Sequence, residues 1–116
     1  MKVIIAGGRN VTKYAYVEDA VSSSGFDISE VVSGCARGAD TLGEQWAKLN
    51  GINIKRFPAD WDLHGKRAGP LRNIEMGNYA DALIALWDGE SRGTKHMIDY
   101  ATKQGLEVFV YRVDQA

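Results

Sequence analysis

Five short apolar runs recur along the chain and restrict it to few architectures: Val3-Ile4-Ile5-Ala6, Val31-Val32, Ile52-Asn53-Ile54, Ala82-Leu83-Ile84-Ala85-Leu86 and Val108-Phe109-Val110. Each has the length of a strand, and runs that are apolar at consecutive positions mark strands covered on both faces, as in a parallel sheet between layers of helix. The first, fourth and fifth runs fit that description best. Between the runs the spacing becomes helical. Tyr14, Val17, Ala20 and Val21 share one face, as do Leu42, Trp46 and Leu49, and again Met97, Ile98, Ala101 and Thr102. Gly25, Gly51 and Gly105 follow these segments as C-terminal stops. Strand and helix therefore alternate, with helices over 13–24, 39–50, 70–80 and 93–104. This order predicts an α/β fold built on a doubly wound, mainly parallel five-stranded sheet.

At 116 residues the chain has room for a single domain over 1–116, and 45% apolar with 25% charged residues is an ordinary globular composition. Lys and Arg number 14 against 15 Asp and Glu. A net charge of −1 provides no long-range attraction to duplex nucleic acid or to an anionic membrane, so any anion site has to arise from local clustering. The single Cys35, with only His64 and His96 beside it, makes neither a disulfide nor a Cys/His metal framework, and no metal or cofactor is expected. The opening MKVIIAGGRN is too short in apolar residues for a signal peptide or a membrane span, which points to a cytoplasmic protein without membrane contact.

In open parallel sheets ligands bind beyond the carboxyl ends of the strands, so the residues after each apolar run carry the functional information. Gly7-Gly8-Arg9-Asn10 follows the first run, Ser33 to Asp40 the second, and Asp88 to Lys95 the fourth, while the third crossover contributes Lys66 to Asn73. These segments hold seven of the 14 basic residues, Arg9, Arg37, Lys66, Arg67, Arg72, Arg92 and Lys95, which are expected to converge on one cationic edge. Glycine lets backbone N–H groups approach an anion, helix N-termini add partial positive charge, and arginine forks grip phosphate bidentately. The candidate ligand-binding residues are Gly7, Gly8, Arg9, Gly34, Arg37, Gly38, Asp40, Trp61, Lys66, Arg67, Arg72, Asn73, Asp88, Gly89, Ser91, Arg92, Gly93 and Thr94. The expected guest is a phosphate-bearing small molecule.

Several of these positions have a purely structural alternative that the sequence leaves open. Gly7-Gly8 matches neither GxGxxG nor a P-loop and serves a turn as well as a phosphate cradle. Asp40 suits the first turn of a helix, and Ser91-Arg92-Gly93-Thr94 suits a capped helix start. Trp61 either stacks on a base or plugs the edge of the core; Trp46 reads as core and Trp87 as core with a view of the site. His96 reads as a solvent-facing or capping residue, Cys35 has no evident base partner, and the pairs Asp60/Asp62 and Asp88/Glu90 lack metal-specific spacing.

The segments SGCARGADTLGEQWAKLNGI, FPADWDLHGKRAGPLRN and ADALIALWDGESRGTKHMIDYA together resemble the YspA-like branch of the SLOG superfamily, named from its DNA-processing (SMF/DprA) and "lonely guy" (LOG) members. The resemblance runs from about residue 1 to 111. It implies a Rossmann-like three-layer sandwich that binds a nucleotide or nucleotide-derived molecule, acting as a sensor, carrier or sequestering protein, and relatives that commonly form homo-oligomers. The superfamily also contains phosphoribohydrolases with RKxxM and PGGxGTxxE segments. Arg72-Asn73-Ile74-Glu75-Met76 is similar to the first, which makes Arg72 and Glu75 the catalytic candidates of an alternative nucleotide-hydrolase reading. In the second segment Met97 stands where the glutamate would be, and a thioether neither activates water nor stabilises an oxocarbenium-like centre. Binding of single-stranded nucleic acid is the third reading, through the DNA-processing relatives and Trp61.

Overall fold

The computed structural model describes residues 1–113. Strands β1 (Lys2–Gly7), β2 (Glu30–Ser33), β3 (Asn53–Arg56), β4 (Ala82–Trp87) and β5 (Glu107–Arg112) form one wholly parallel sheet in the order β3-β2-β1-β4-β5. The helices are α1 (Tyr14–Ser24), α2 (Ala39–Leu49), the short α3 (Trp61–His64), α4 (Ala68–Tyr79) and α5 (Arg92–Lys103), and a 3₁₀ turn over Gly65–Arg67 joins α3 to α4.

Side chains alternate across a strand, so a consecutive apolar run feeds two cores at once. Val3 and Ile5 of β1, with Ile84 and Leu86 of β4, pack into the layer that holds Val17 and Ala20 of α1 and Ala39 and Ala47 of α2. Ile4 and Ala6, with Leu83 and Ala85, face the opposite layer, against Met76 of α4 and Met97 and Ala101 of α5. The result is the three-layer sandwich expected from the sequence.

Four expectations are corrected. The fifth run is an edge strand rather than a central one: Val108 and Phe109 are only partly buried and Val110 is 38% exposed, whereas the shorter second run is fully buried at Val31 and Val32. Leu49 is 68% exposed, because α2 faces the sheet through Ala39, Gly43 and Ala47, every fourth residue. A Cβ on Gly43 would stand 2.8 Å from Ile5 Cγ2, so the helix backbone rides directly on β1. Thr102 also leaves the apolar face, its hydroxyl donating to the Ile98 carbonyl at 2.7 Å. Trp46 is only partly buried against its layer.

Helix α3 was not foreseen. Asp60 starts it by accepting the Leu63 N–H at 3.0 Å, and none of its residues is buried. Among the described residues no helix is long and apolar enough to cross a membrane.

Candidate ligand-binding site

The site follows from the strand order. After β1 the chain rises into the α1–α2 layer, and after β4 it rises into the α4–α5 layer. The neighbouring strands β1 and β4 thus send their connections to opposite faces, which opens a crevice at their carboxyl ends. A cavity of about 920 Å³ occupies it, walled by the loop after β1, the start of α5, the first turns of α4, and Trp61.

Arg72 organises its floor. From α4 its Nη1 donates to the Gly34 carbonyl after β2, and its Nε donates to Asn73 Oδ1 at 3.1 Å. An arginine Nε only donates, so the Asn73 atom facing it is the oxygen, and Asn73 Nδ2 is left to donate to the Gly93 carbonyl at 3.3 Å and to His96 Nδ1 at 3.2 Å. His96 therefore presents a lone pair at Nδ1 and carries its ring proton on Nε2. One continuous set of hydrogen bonds ties the β2 loop to α4 and to the N-terminus of α5. Gly34 is where this set closes on itself: a Cβ there would lie 2.7 Å from Arg72 Nη1 and 2.8 Å from Asp40 Oδ2.

Asp40, in the first turn of α2, is 5% exposed and accepts the Ala36 N–H at 3.1 Å. Burial pushes its carboxyl from 3.8 up to about 6, opposed by the Ala36 hydrogen bond and the Arg72 guanidinium and reinforced by Glu44. The folded chain therefore keeps a proton that the unfolded chain releases at lower pH, so stability falls as pH rises from 3.8 to about 6 and the full penalty stands above that. At roughly 1.4 kcal/mol per pKa unit the penalty is at most about 3 kcal/mol. Asp40→Asn keeps an acceptor for Ala36 but forfeits the attraction to Arg72. We expect a net gain of about 1 kcal/mol at neutral pH and a flattened stability profile below it. Urea midpoints between about pH 4 and 7 test this, and a variant with the parent's slope refutes it.

The loop after β4 is held by its own residues. Asp88 Oδ1 accepts the N–H groups of Ser91 and Glu90, each at 2.8 Å, and these bonds hold its carboxyl below the usual range. Ser91 caps α5, its Oγ accepting the Thr94 N–H at 3.4 Å, while the Trp87 indole donates to the Ser91 carbonyl at 3.1 Å. The N–H groups of Arg92 and Gly93 make no hydrogen bond among the described residues, and a Cβ on Gly93 would meet nothing within 4 Å. Below the Ser91 cap, two free N–H groups in the first turn of α5 thus border the cavity beside the Arg92 side chain.

Of the sequence candidates, Gly7, Gly8, Arg9, Asp40, Trp61, Arg72, Asn73, Asp88, Ser91, Arg92, Gly93 and Thr94 line this cavity. Gly34 and Arg37 line a smaller adjoining hollow. Gly38, Gly89, Lys66 and Arg67 line neither. Lys66 and Arg67 are exposed on the 3₁₀ turn, and Lys95 pairs with Asp99 at 2.7 Å on the outer face of α5. Four of the seven basic residues expected at one edge thus reach it, namely Arg9, Arg37, Arg72 and Arg92. Glu75 is exposed on α4 and is not a lining residue. Trp61, half exposed, faces both hollows, and Trp87 does not line the cavity. Lys13, Tyr16, His96 and Met97 do line it. Lys13 continues the loop after β1, and His96 and Met97 are three and four residues beyond Gly93, a spacing that returns to the same helix face.

Two groups are set aside by their surroundings. The Cys35 thiol is pushed up by burial and by Glu44, so it is not an activated nucleophile. Among the described residues no group of three or more His, Cys, Asp or Glu is placed to hold a metal ion.

Comparison with known proteins places the fold and the family. The chain is 38% identical to the Gene 61 protein of Mycobacterium phage D29 over 117 aligned residues, covering 92% of this chain and 93% of that one. Its fold is similar to that of DNA processing protein A (DprA) from Streptococcus pneumoniae, with a TM-score of 0.77 at 20% identity over 94% of this chain. The chain spans about half (49%) of the length of that structure. The family of YspA, cpYpsA-related SLOG proteins matches residues 1–64, which carry β1, the glycine loops and Asp40. With more than half of its length matched and a full-length relative at this identity, the chain belongs to the YspA, cpYpsA-related SLOG family.

Proposed function

We propose that this protein binds a phosphorylated nucleotide or a nucleotide-derived small molecule in the crevice between β1 and β4, as a sensor, carrier or sequestering protein. The observation that carries this reading is the pair of free N–H groups in the first turn of α5 beside Arg92, in a cavity that also receives Arg9, Lys13 and Arg72. Backbone N–H groups and a helix dipole favour an anion there, and guanidinium forks match phosphate oxygens. Two of the cavity's carboxylates are already engaged, Asp88 by backbone N–H groups and Asp40 by Ala36 and Arg72. Val11, Met76, Met97 and Tyr16 supply an apolar wall suited to a base or sugar.

Thermal unfolding in the presence of nucleoside monophosphates, ADP-ribose and cyclic dinucleotides tests the reading. A ligand at 100 times its Kd adds about 2.7 kcal/mol, a rise of several degrees for a domain of this size. Unchanged unfolding with all of them refutes it.

One observation favours a second reading, hydrolysis of the bound nucleotide. Asp40 is a buried carboxyl in the cavity whose pKa of about 6 suits proton transfer near neutrality. Release of free base or phosphate that Asp40→Asn abolishes would support turnover, and binding without product over hours excludes it.

A further inference from the structure

A second hollow of about 340 Å³ adjoins the crevice and shares Arg9, Ala36, Trp61 and Arg72 with it. Its remaining wall is Gly34, Cys35, Arg37, Pro58 and Ala59. The two spaces differ in charge. The large cavity mixes four basic side chains with Asp40, Asp88 and Glu90, whereas the small one is lined by three arginines and no carboxylate. Arg9 and Arg37 make no hydrogen bond or ion pair among the described residues, so three arginines of one sign are gathered with only Arg72 engaged. Even Arg72 spends only Nη1 and Nε on the protein; its Nη2 has no partner among the described residues. The Asp40 carboxyl beside Gly34 offsets Arg72 alone, and the uncompensated charges of Arg9 and Arg37 at one hollow cost free energy, which a bound anion repays.

Position adds to this. Arg9 and Arg72 stand on the seam between the two spaces, and the indole of Trp61, half exposed, faces both. A stacking surface at a seam fits a ligand with a flat or ring-shaped group on each side and a bridging anion between them. Each space alone falls within the ~300–1,000 Å³ typical of small-molecule sites, so together they exceed what a mononucleotide requires.

We infer that the smaller hollow is a second anion-binding subsite, and that the ligand is a two-part nucleotide. It is a nucleoside joined through a diphosphate or phosphate bridge to a second sugar or nucleoside. Arg9 and Arg72 hold the bridge, the nucleoside fills the crevice, and Arg37 reaches the second part. This inference rests on the nucleotide reading above and narrows it. A nucleic-acid strand is disfavoured, because a net charge of −1 provides no long-range attraction to a polyphosphate backbone.

Isothermal titration with AMP and GMP against ADP-ribose and GDP-mannose, on the intact chain and on Arg37→Ala, tests it. Arg37 is exposed and its side chain makes no hydrogen bond or ion pair among the described residues. The two-part nucleotide of one base is expected to bind at least about tenfold tighter than its monophosphate, as one or two charge-assisted hydrogen bonds would give. Arg37→Ala should erase most of that advantage and leave monophosphate affinity within about twofold. Equal affinity for one-part and two-part nucleotides overturns the inference while leaving nucleotide binding intact, and so does an equal loss for both in Arg37→Ala. Tighter binding of a short oligo(dT) than of any small molecule overturns it in favour of a strand. If none of the four nucleotides binds, the subsite falls, and the nucleotide reading falls with it when the cyclic dinucleotides also leave unfolding unchanged.

Discussion

Replacing Gly38 by alanine is expected to cost about 3–4 kcal/mol, a large part of the ~5–15 kcal/mol by which a domain is stable. Gly38 precedes α2 with φ at 81°, a conformation that disfavours any side chain by about 1–2 kcal/mol. Space is the larger obstacle. A Cβ there would overlap the Gly8 carbonyl oxygen and come within 2.7 Å of Arg9 Cα and C, all of them backbone. The Gly8 carbonyl accepts from the N–H groups of Ala39 and Val11, each at 3.3 Å, so displacing it both uncaps α2 and loosens the loop after β1. Gly25, Gly51 and Gly105 also have positive φ, yet a Cβ on any of them meets nothing within 4 Å. Alanine at those three positions should cost only about 1 kcal/mol each, the conformational part alone. Urea unfolding of the four variants separates the terms. A Gly38→Ala midpoint that matches Gly25→Ala would show that the two loops are not pressed together, and the crevice would lose its rigid wall.

Consecutive apolar residues made β1 and β4 legible, because only a strand covered on both faces tolerates them. The same signal misplaced β5, whose apolar run contains the 38% exposed Val110. Strand order decides which run is central, and order depends on pairings between distant segments that a local pattern does not encode. Leu49 failed for a related reason. Its spacing from Leu42 and Trp46 is helical, but a second stripe of small residues, Ala39, Gly43 and Ala47, permits the closer approach to β1 and takes the buried face. Location of the crevice was legible, since a parallel sheet puts ligands beyond its carboxyl ends whatever the side chains. Which basic residues reach it was not. Lys66 and Arg67 sit one short turn beyond Trp61, and Lys95 one residue before His96, yet only Trp61 and His96 line the cavity. Side-chain direction changes by about 100° per helical residue, so membership in a loop or helix start does not settle which way a charge points.

Arg72→Ala is expected to weaken nucleotide binding by more than about 100-fold, beyond the effect of removing any one exposed arginine of the rim. Arg9, Arg37 and Arg92 are exposed and must be ordered by the ligand, whereas the Arg72 guanidinium is already fixed by the Gly34 carbonyl and Asn73 Oδ1. A pre-ordered donor loses no side-chain entropy on binding. Its removal also releases Asn73, and through Asn73 the hold on Gly93 and His96 at the start of α5. Arg72→Lys should recover little, because an ammonium cannot serve Gly34, Asn73 and a phosphate from one plane. Loss of binding by a collapsed fold would look the same, and the pH profile distinguishes them. Arg72 is the positive charge that lowers the Asp40 carboxyl, so in a folded Arg72→Ala protein that carboxyl must rise above about 6. The fall in stability with rising pH should then extend to higher pH than in the parent, still downward, since Asp40 remains a group whose proton the folded state retains. A variant that unfolds cooperatively, shows this displaced profile and no longer binds nucleotide assigns the loss to the guanidinium. An unshifted profile with retained affinity would remove Arg72 from the centre of the site.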